Sequence, residues 1–399
     1  MKMADTVLTL NSGSSSLKFA LFDAHGGDDA GALLRGLVEE IPTRPRFSAS
    51  SADGAPLAED EWPDAANDFP AIIDRLIGWI EAHRGDNRLI AVGHRVVHGG
   101  PDHAKPERVT PALLGELDRL TRLAPLHEPQ NIAPIRALAE SRPELPQVAC
   151  FDTAFHRTMP AVATRFALPR NFETEGVRRY GFHGLSYEYI AGHLARTAPG
   201  LAAGRVIVAH LGNGASLCAL KAGNSIDTTM GFSTLDGLVM GSRPGTLDPG
   251  VILHLLKRGM TADEVENLLY RRSGLLGISG GISSDMRVLL GSDDPRAAEA
   301  IELFTYRIAR EVGALASSLG GLDGFVFTAG IGEHSAAVRA LVCARLGWLG
   351  VELDKDANER GDGIISAVQS PAEVRVIATD EERMMASHVL RTVRAGHPA

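Results

Sequence analysis

The chain has 399 residues, of which 44% are apolar and 22% charged, and its formal net charge is −9. That length exceeds one ordinary core and predicts two domains, while the composition excludes a disordered or fibrous chain. The acidic balance excludes nucleic acid as the main partner, because a polyanion needs a basic face; small anions held by a few local cations stay open.

Strand-like runs occupy residues 6–11, 17–23, 89–97, 147–151, 205–210, 216–220, 323–329 and 373–378. Helical periodicity separates several of them, as in "AIIDRLIGWIEAHR", "LSYEYIAGHLARTA", "PRAAEAIELFTYRIAREVGALASSL" and "EERMMASHVLRTVRA". Thr261 and Glu264 form a capping box before "VENLLYRR". The mix predicts an α/β protein with partly parallel sheets. Residues 42–67, rich in Pro, Ser, Ala and Asp and without a clear period, read as a surface elaboration. Cys150, Cys218 and Cys343 are odd in number and widely spaced, so buried thiols are expected rather than a disulfide framework. With no charged leader and no apolar run of about 18 residues, a cytoplasmic protein without a membrane span is expected.

One internal echo organises the chain. "VLTLNSGSSSLKFALFD" is matched in kind by "VIVAHLGNGASLCALKAG" from Val206: an apolar strand, a Gly/Ser/Asn turn and a second alternating strand. Two such units about 200 residues apart suggest duplicated domains. Glycine permits close backbone approach, and successive exposed amides make a concave anion site, for which phosphate is the natural guest. The bland alternative is a polar hairpin facing water, but a second turn, and Lys18 directly after the first, weigh against it. The chain contains no Gly-Lys pair, which excludes a Walker-type loop. "GNGASL" fails as a dinucleotide fingerprint because Leu217 stands where the third small residue belongs and the sequence continues as a strand. A nucleotide would therefore be held between hairpins.

In "GHRVVHGG" His94 and His98 are four apart, but Arg95 stands where a zinc helix needs its Glu, and the valines favour a strand. Strand alternation would put Arg95 and Val97 on one face and His94, Val96 and His98 on the other. Arginine for a carboxylate and valine for an alkyl end suit a short carboxylic acid; a structural salt bridge is the plain alternative. Asp152 follows the strand "QVACF", where open α/β sheets place ligand-binding groups. His183 in "YGFHG" and Arg243 in "MGSRPGTLDPG" lie among small residues. Together these groups form the inventory for phosphoryl transfer by positioning and electrostatics.

The ordered set "NSGSSSLK", "GHRVVHGG", "LAPLHEPQNI", "FDTAFH", "YGFHGLSYEY", "HLGNGASL", "GSRPGTLDPG", "GGISSDMR", "AGIGEH" and "TDEE" resembles the acetate kinase family, within the superfamily of acetate and sugar kinases, heat-shock chaperones and actin. The resemblance implies a duplicated two-domain actin-like (ribonuclease H-like) fold with a cleft between domains. It divides the chain at 1–152, 153–379 and 380–399, the last a helix packing back on the N-terminal domain. It also implies a homodimer and reversible transfer of the ATP γ-phosphoryl group to acetate, giving acetyl phosphate and ADP.

Carried onto matching positions, it implies that Asn11 and Glu381 hold Mg2+, or Mn2+ in its place, and that Lys18 approaches the phosphates. The remaining nucleotide contacts would be His210, Leu211, Gly212, Asn213 and Gly214; Asp285, Met286 and Arg287; and Gly330, Ile331, Gly332, Glu333 and His334. Arg95 would bind the acetate carboxylate, with Val97, Leu126 and Phe182 around the methyl group. Asp152, His183 and Arg243 would surround the transferring phosphoryl group. Thr234, where a Pro often lines the acyl pocket, and His334, where Asn is usual, depart from the common pattern, as do Glu128, Thr246 and Asp380. A propionate kinase is the nearest alternative; an ATP-driven clamp without an acyl acceptor is a distant one.

Overall fold

The computed structural model describes residues 4–13, 15–26, 31–121, 128–361 and 363–395. The chain divides into two compact units, Met1–Phe155 with Asp380–Ala399, and His156–Thr379.

The first unit is built on an eight-stranded sheet. Its strands are β1 (Asp5–Ser12), β2 (Leu17–Asp23), β3 (Ala32–Glu39), β4 (Arg46–Ser51), β5 (Pro56–Glu61), β6 (Arg88–Val96), β7 (Glu107–Arg108) and β8 (Gln147–Phe151). They lie in the order β5-β4-β3-β2-β1-β6-β8-β7. The run from β1 to β5 is antiparallel, whereas β1, β6 and β8 are parallel neighbours. Val7, Leu8 and Leu10 of β1 and Val148, Ala149 and Cys150 of β8 are all buried. Covered on both faces, such strands read as continuous apolar runs rather than alternation.

Residues 42–67 depart from the sequence expectation. They supply β4 and β5, and Phe47, Ala49 and Trp62 are buried in the main core. The Phe47 ring stacks on Trp62 at 4.8 Å and meets Trp79 at 5.0 Å. β4 alternates over only six residues, and the edge strand β5 is almost wholly exposed and charged, so no period could stand out.

The second unit repeats the plan. Its strands are β9 (Arg205–Leu211), β10 (Ala215–Lys221), β11 (Asn224–Thr228), β12 (Gly324–Thr328), β13 (Gly363–Ile364) and β14 (Glu373–Val376). The order β11-β10-β9-β12-β14-β13 reproduces β3-β2-β1-β6-β8-β7, with β12 parallel to both β9 and β14. The echo between the two hairpins is thus an echo of whole sheets. The 25-residue helix Pro295–Leu319 covers one face; Asp294 caps its start and Gly320, at φ 76°, ends it in the left-handed region. Thr261 and Glu264 form the capping box read from sequence. All three cysteines are buried thiols that form no disulfide. Among the described residues no helix is long and apolar enough to cross a membrane.

The C-terminal helix Glu381–Ala395 packs on β1 and β6 of the first unit. A Cβ added at Gly93 of β6 would lie 2.6 Å from Val389 Cγ2 of that helix. We expect Gly93→Ala to destabilise the protein by about 1–3 kcal/mol. Adding Val389→Ala should recover part of that loss; strict additivity in a urea-denaturation double-mutant cycle would contradict the contact.

Candidate active site

The first unit gathers its charged groups at the C-terminal ends of parallel strands, where the sheet offers open backbone and loops. β1 ends in Asn11 and Ser12, and the hairpin register sets Asn11 opposite Lys18. β6 delivers Arg95, and Asp152 follows β8, its N–H donating to Val96 O at 3.0 Å. Arg95 Nε donates to Asp152 Oδ2 at 2.9 Å, Nη2 donates to the same oxygen, and Nη1 donates to Asn11 Oδ1 at 3.2 Å. Asn11 Nδ2 in turn donates to Glu381 Oε2 at 3.3 Å and approaches Glu382 Oε1 at 3.5 Å. Among the described residues, one hydrogen on each Nη of Arg95 meets no acceptor.

Only 1% of the Asp152 side chain and 18% of that of Arg95 is exposed. Burial pulls the Arg95 pKa down, but Asp152 first, then Glu381 and Glu382, more than offset it, so the guanidinium stays charged. Burial and the neighbouring Glu381 raise the Glu382 pKa, against the pull of Lys18. Sequence reasoning missed Glu382, although the second Glu of "TDEE" was the available signal.

β6 ends at Val96, one residue short of the expected strand, so alternation does not fix the face of Val97. Val96 and Val97 are both buried. What fixes Val97 is Asn131, whose Oδ1 accepts from Val97 N at 2.9 Å while its Nδ2 donates to Ser12 O at 2.8 Å. Asn131 therefore ties the exit of β6 to the first turn. Leu126, the other expected acyl contact on this side, lies outside the described residues.

The second unit gathers its groups around the turn Gly212–Gly214 between β9 and β10. Gly212 N donates to Gly214 O at 3.1 Å, and Gly241 N donates to Asn213 O at 3.0 Å, which ties the Arg243 loop to the turn. Arg243 Nη1 donates to Thr234 O at 2.8 Å. A Cβ at residue 214 would lie 2.9 Å from Arg243 Nη2 and 3.4 Å from His183 Nε2, so the glycine leaves open the place where these two groups converge. His183 itself sits at φ 58°, a conformation that a non-glycine residue holds only when its surroundings enforce it. Its ring stacks on His210 with centroids 4.1 Å apart. Phe182 beside it is buried, and its carbonyl accepts from His156 Nε2 at 2.9 Å.

A cavity of about 710 Å3 adjoins the turn. Of the expected nucleotide residues, Gly212, Asn213, Asp285, Met286 and Arg287 line one part of it, and Gly330, Ile331 and His334 another. Asp285 Oδ1 accepts from Arg287 N at 2.8 Å, capping the helix Met286–Leu290. Ser284, Leu290 and Ser335 also line the cavity. Ser284 was legible beside Asp285, whereas Leu290 joins Met286 only through helical spacing. His210, Leu211, Gly214, Gly332 and Glu333 are not among the lining residues. Leu211 is buried in the core, and the Glu333 carboxylate turns back to accept from Ala329 N at 2.7 Å and Thr379 N at 3.1 Å.

Glu128 opens the helix Glu128–Ser141 fully buried, and neither carboxyl oxygen meets a hydrogen-bond donor within bonding geometry among the described residues. Burial pushes its pKa up to about 8, with Asp152 adding to the rise and the His98 backbone opposing it in part. The folded protein thus binds a proton that the unfolded chain releases near the ordinary carboxyl value, and stability falls as pH rises from about 4.5 to about 8. Glu128→Gln should flatten this slope in denaturant titrations and gain on the parent protein as pH rises; parallel curves would contradict the buried neutral acid.

The Acetokinase family model matches residues 6–387. Acetate kinase of Rhodopseudomonas palustris (strain ATCC BAA-98 / CGA009) is 56% identical over 399 residues, covering 99% of this chain and all of that protein. A propionate kinase from Francisella tularensis subsp. tularensis SCHU S4 superposes with a TM-score of 0.90 at 36% identity, over 97% of this chain and 99% of the other. Porphyromonas gingivalis acetate kinase superposes with a TM-score of 0.87 at 34% identity, over 98% and 100%. Its double α/β plan, its two clusters of charged groups and these full-length likenesses place this chain in the acetokinase family.

Proposed function

We propose that the protein is an acetate kinase that moves the γ-phosphoryl group of ATP to acetate, reversibly and by direct in-line transfer. The observation that carries this reading is the convergence of Arg243 and His183 on the open side of Gly214, next to the cavity-lining Asn213, in a chain 56% identical to an acetate kinase. The acceptor carboxylic acid, with a pKa of about 4, is ionised at neutral pH, so no general base is needed. The obstacle is repulsion between two anions. Arg95, already oriented by Asp152, offers its remaining Nη hydrogens to the carboxylate, and Arg243 and His183 answer the charge of the phosphoryl group. Val97, Leu126 and Phe182 are the proposed acyl contacts.

The donor types of the first unit suit Mg2+, since the carboxylates of Glu381 and Glu382 and the amide oxygen of Asn11 are hard oxygen ligands; the Asn11 oxygen accepts from Arg95 while its Nδ2 faces the carboxylates, so it would join them only by turning its amide. When bound, the ion would neutralise nucleotide phosphate charge.

A homodimer is the proposed assembly. The helix Pro249–Lys257, "PGVILHLLK", has no buried residue, and Val251, Leu253 and Leu256 are 39%, 56% and 40% exposed, beside Leu247 at 38%. Such a patch on a soluble chain calls for cover by a second copy.

With Mg-ATP and a panel of acetate, propionate and butyrate, hydroxylamine should trap acyl hydroxamate, with the highest kcat/KM for acetate. One methylene is worth only about 1–3 kcal/mol, so a propionate preference would move the chain to that branch. Acid-independent phosphate release with no hydroxamate would instead favour an ATP-driven clamp. Arg243→Ala should lower kcat by roughly 100-fold or more with KM values little changed; near-normal turnover would remove Arg243 from the transition state. Leu253→Glu should shift sedimentation from dimer to monomer, and an unchanged dimer would place the interface elsewhere.

A further inference from the structure

We infer that Glu333 is a positioning residue: a single carboxylate oxygen ties the left-handed turn at Ala329, which opens one wall of the cavity, to Thr379, the last residue of the second unit. What this tie does for a nucleotide rests on the kinase reading, whereas the tie itself does not.

The tie begins where the sheet ends. β12 and β14 run parallel, and their ladder carries on past β14 with Ile377 N donating to Phe327 O at 3.0 Å. Two residues further along each strand, Glu333 Oε1 takes the place of the backbone. It accepts from Ala329 N at 2.7 Å, from Thr379 N at 3.1 Å and from the Thr328 hydroxyl at 3.4 Å. A carboxylate that only capped its own helix, Ala329–His334, would need the Ala329 arm alone. The Thr379 arm lies 46 residues away in sequence and brings in a second strand.

Ala329 sits at φ 64°, where the Cβ of an L-residue crowds its own backbone, so the conformation persists only while its surroundings hold it. The bond from its N–H to Glu333 supplies that hold. Gly330 and Ile331, the next two residues, line the cavity, and a turn that relaxed would carry this wall with it. The far end of the helix is fixed independently. Arg339, 1% exposed, donates through Nη1 to the carbonyls of Gly332 at 2.9 Å and Glu333 at 2.7 Å. Its Nε and Nη2 donate to Asn358 Oδ1 at 2.8 Å and Asn358 O at 2.6 Å. With the backbone of Glu333 held in this way, the length of its side chain decides whether one oxygen meets both strands. Thr379 is anchored on its other side by its hydroxyl, 2.9 Å from Ser186 Oγ.

The test separates reach from charge. Glu333→Gln keeps the reach and an acceptor oxygen, whereas Glu333→Asp keeps the charge and is one methylene too short. Hydrogen–deuterium exchange on the full-length protein without ligand should show residues 325–334 and 375–382 losing protection together in Glu333→Asp, by about tenfold, with neither moving more than about twofold in Glu333→Gln. Calorimetric titration with Mg-ADP should follow the same order, the Kd of Glu333→Asp rising about tenfold and that of Glu333→Gln staying within about threefold of the parent protein. Glycine holds φ 64° without help, so adding Ala329→Gly to Glu333→Asp should recover most of the ADP affinity while residues 375–382 stay unprotected. Losses as large in Glu333→Gln as in Glu333→Asp would make Glu333 a charged contact and overturn the inference. Unchanged protection in Glu333→Asp, a loss confined to one of the two segments, or no recovery by Ala329→Gly would overturn it as well. If exchange behaves as stated while the ADP affinity of Glu333→Asp does not move, it is the nucleotide reading of the turn that fails and not the tie.

Discussion

The Arg95–Asp152 pair is the constraint from which the first unit follows. Both groups are nearly out of water, and removing one would leave a buried charge unmatched, a loss of about 3–5 kcal/mol. The pair therefore holds its geometry whether or not a ligand is present. Because two donors of Arg95 converge on one oxygen of Asp152, the guanidinium cannot swing freely, and its unused hydrogens keep a set direction. Asn11 links this pair to Glu381 and Glu382, so the corner proposed for a cation and the corner proposed for the acyl anion share one amide side chain.

The second unit solves a related problem with backbone rather than with an ion pair. A glycine turn leaves space, a loop stitched to that turn supplies Arg243, and the left-handed residue His183 presents its ring to the same place. Ala329, at φ 64°, is a second non-glycine residue in that region, directly before the cavity-lining Gly330. His183 and Ala329 are two of five such residues among those described, and they lie at segments that approach the proposed nucleotide, whereas Glu40, Asn67 and Ala222 lie elsewhere. The repeated strand order gives both units the same place for such groups, the ends of the first hairpin and of the two parallel strands beside it.

Long periodic segments were legible from sequence because burial on one face repeats over several turns, as in Pro295–Leu319 and Glu381–Ala395. The two hairpins were legible because Gly, Ser and Asn punctuate apolar runs. Where the signal was short, reading failed. β4 spans six residues, so Phe47 could not announce that it reaches the core. Val97 fell one residue beyond its strand, where the period of two no longer applies. Motif likeness gave the neighbourhood of the nucleotide residues but not the direction of each side chain: Glu333 turns to backbone amides and Leu211 to the core. The burial of Glu128 depends on a tertiary environment that no local pattern encodes.

The central claim is a division of labour, with the acyl anion held by the guanidinium of the first unit and the nucleotide by the second. Equilibrium titration of Arg95→Lys with acetate and, separately, with ATP tests it most directly, since lysine keeps the charge but loses the fork. Acetate affinity should fall by about tenfold or more while ATP affinity stays within about twofold. Unchanged acetate binding, or a loss confined to ATP, would contradict the account.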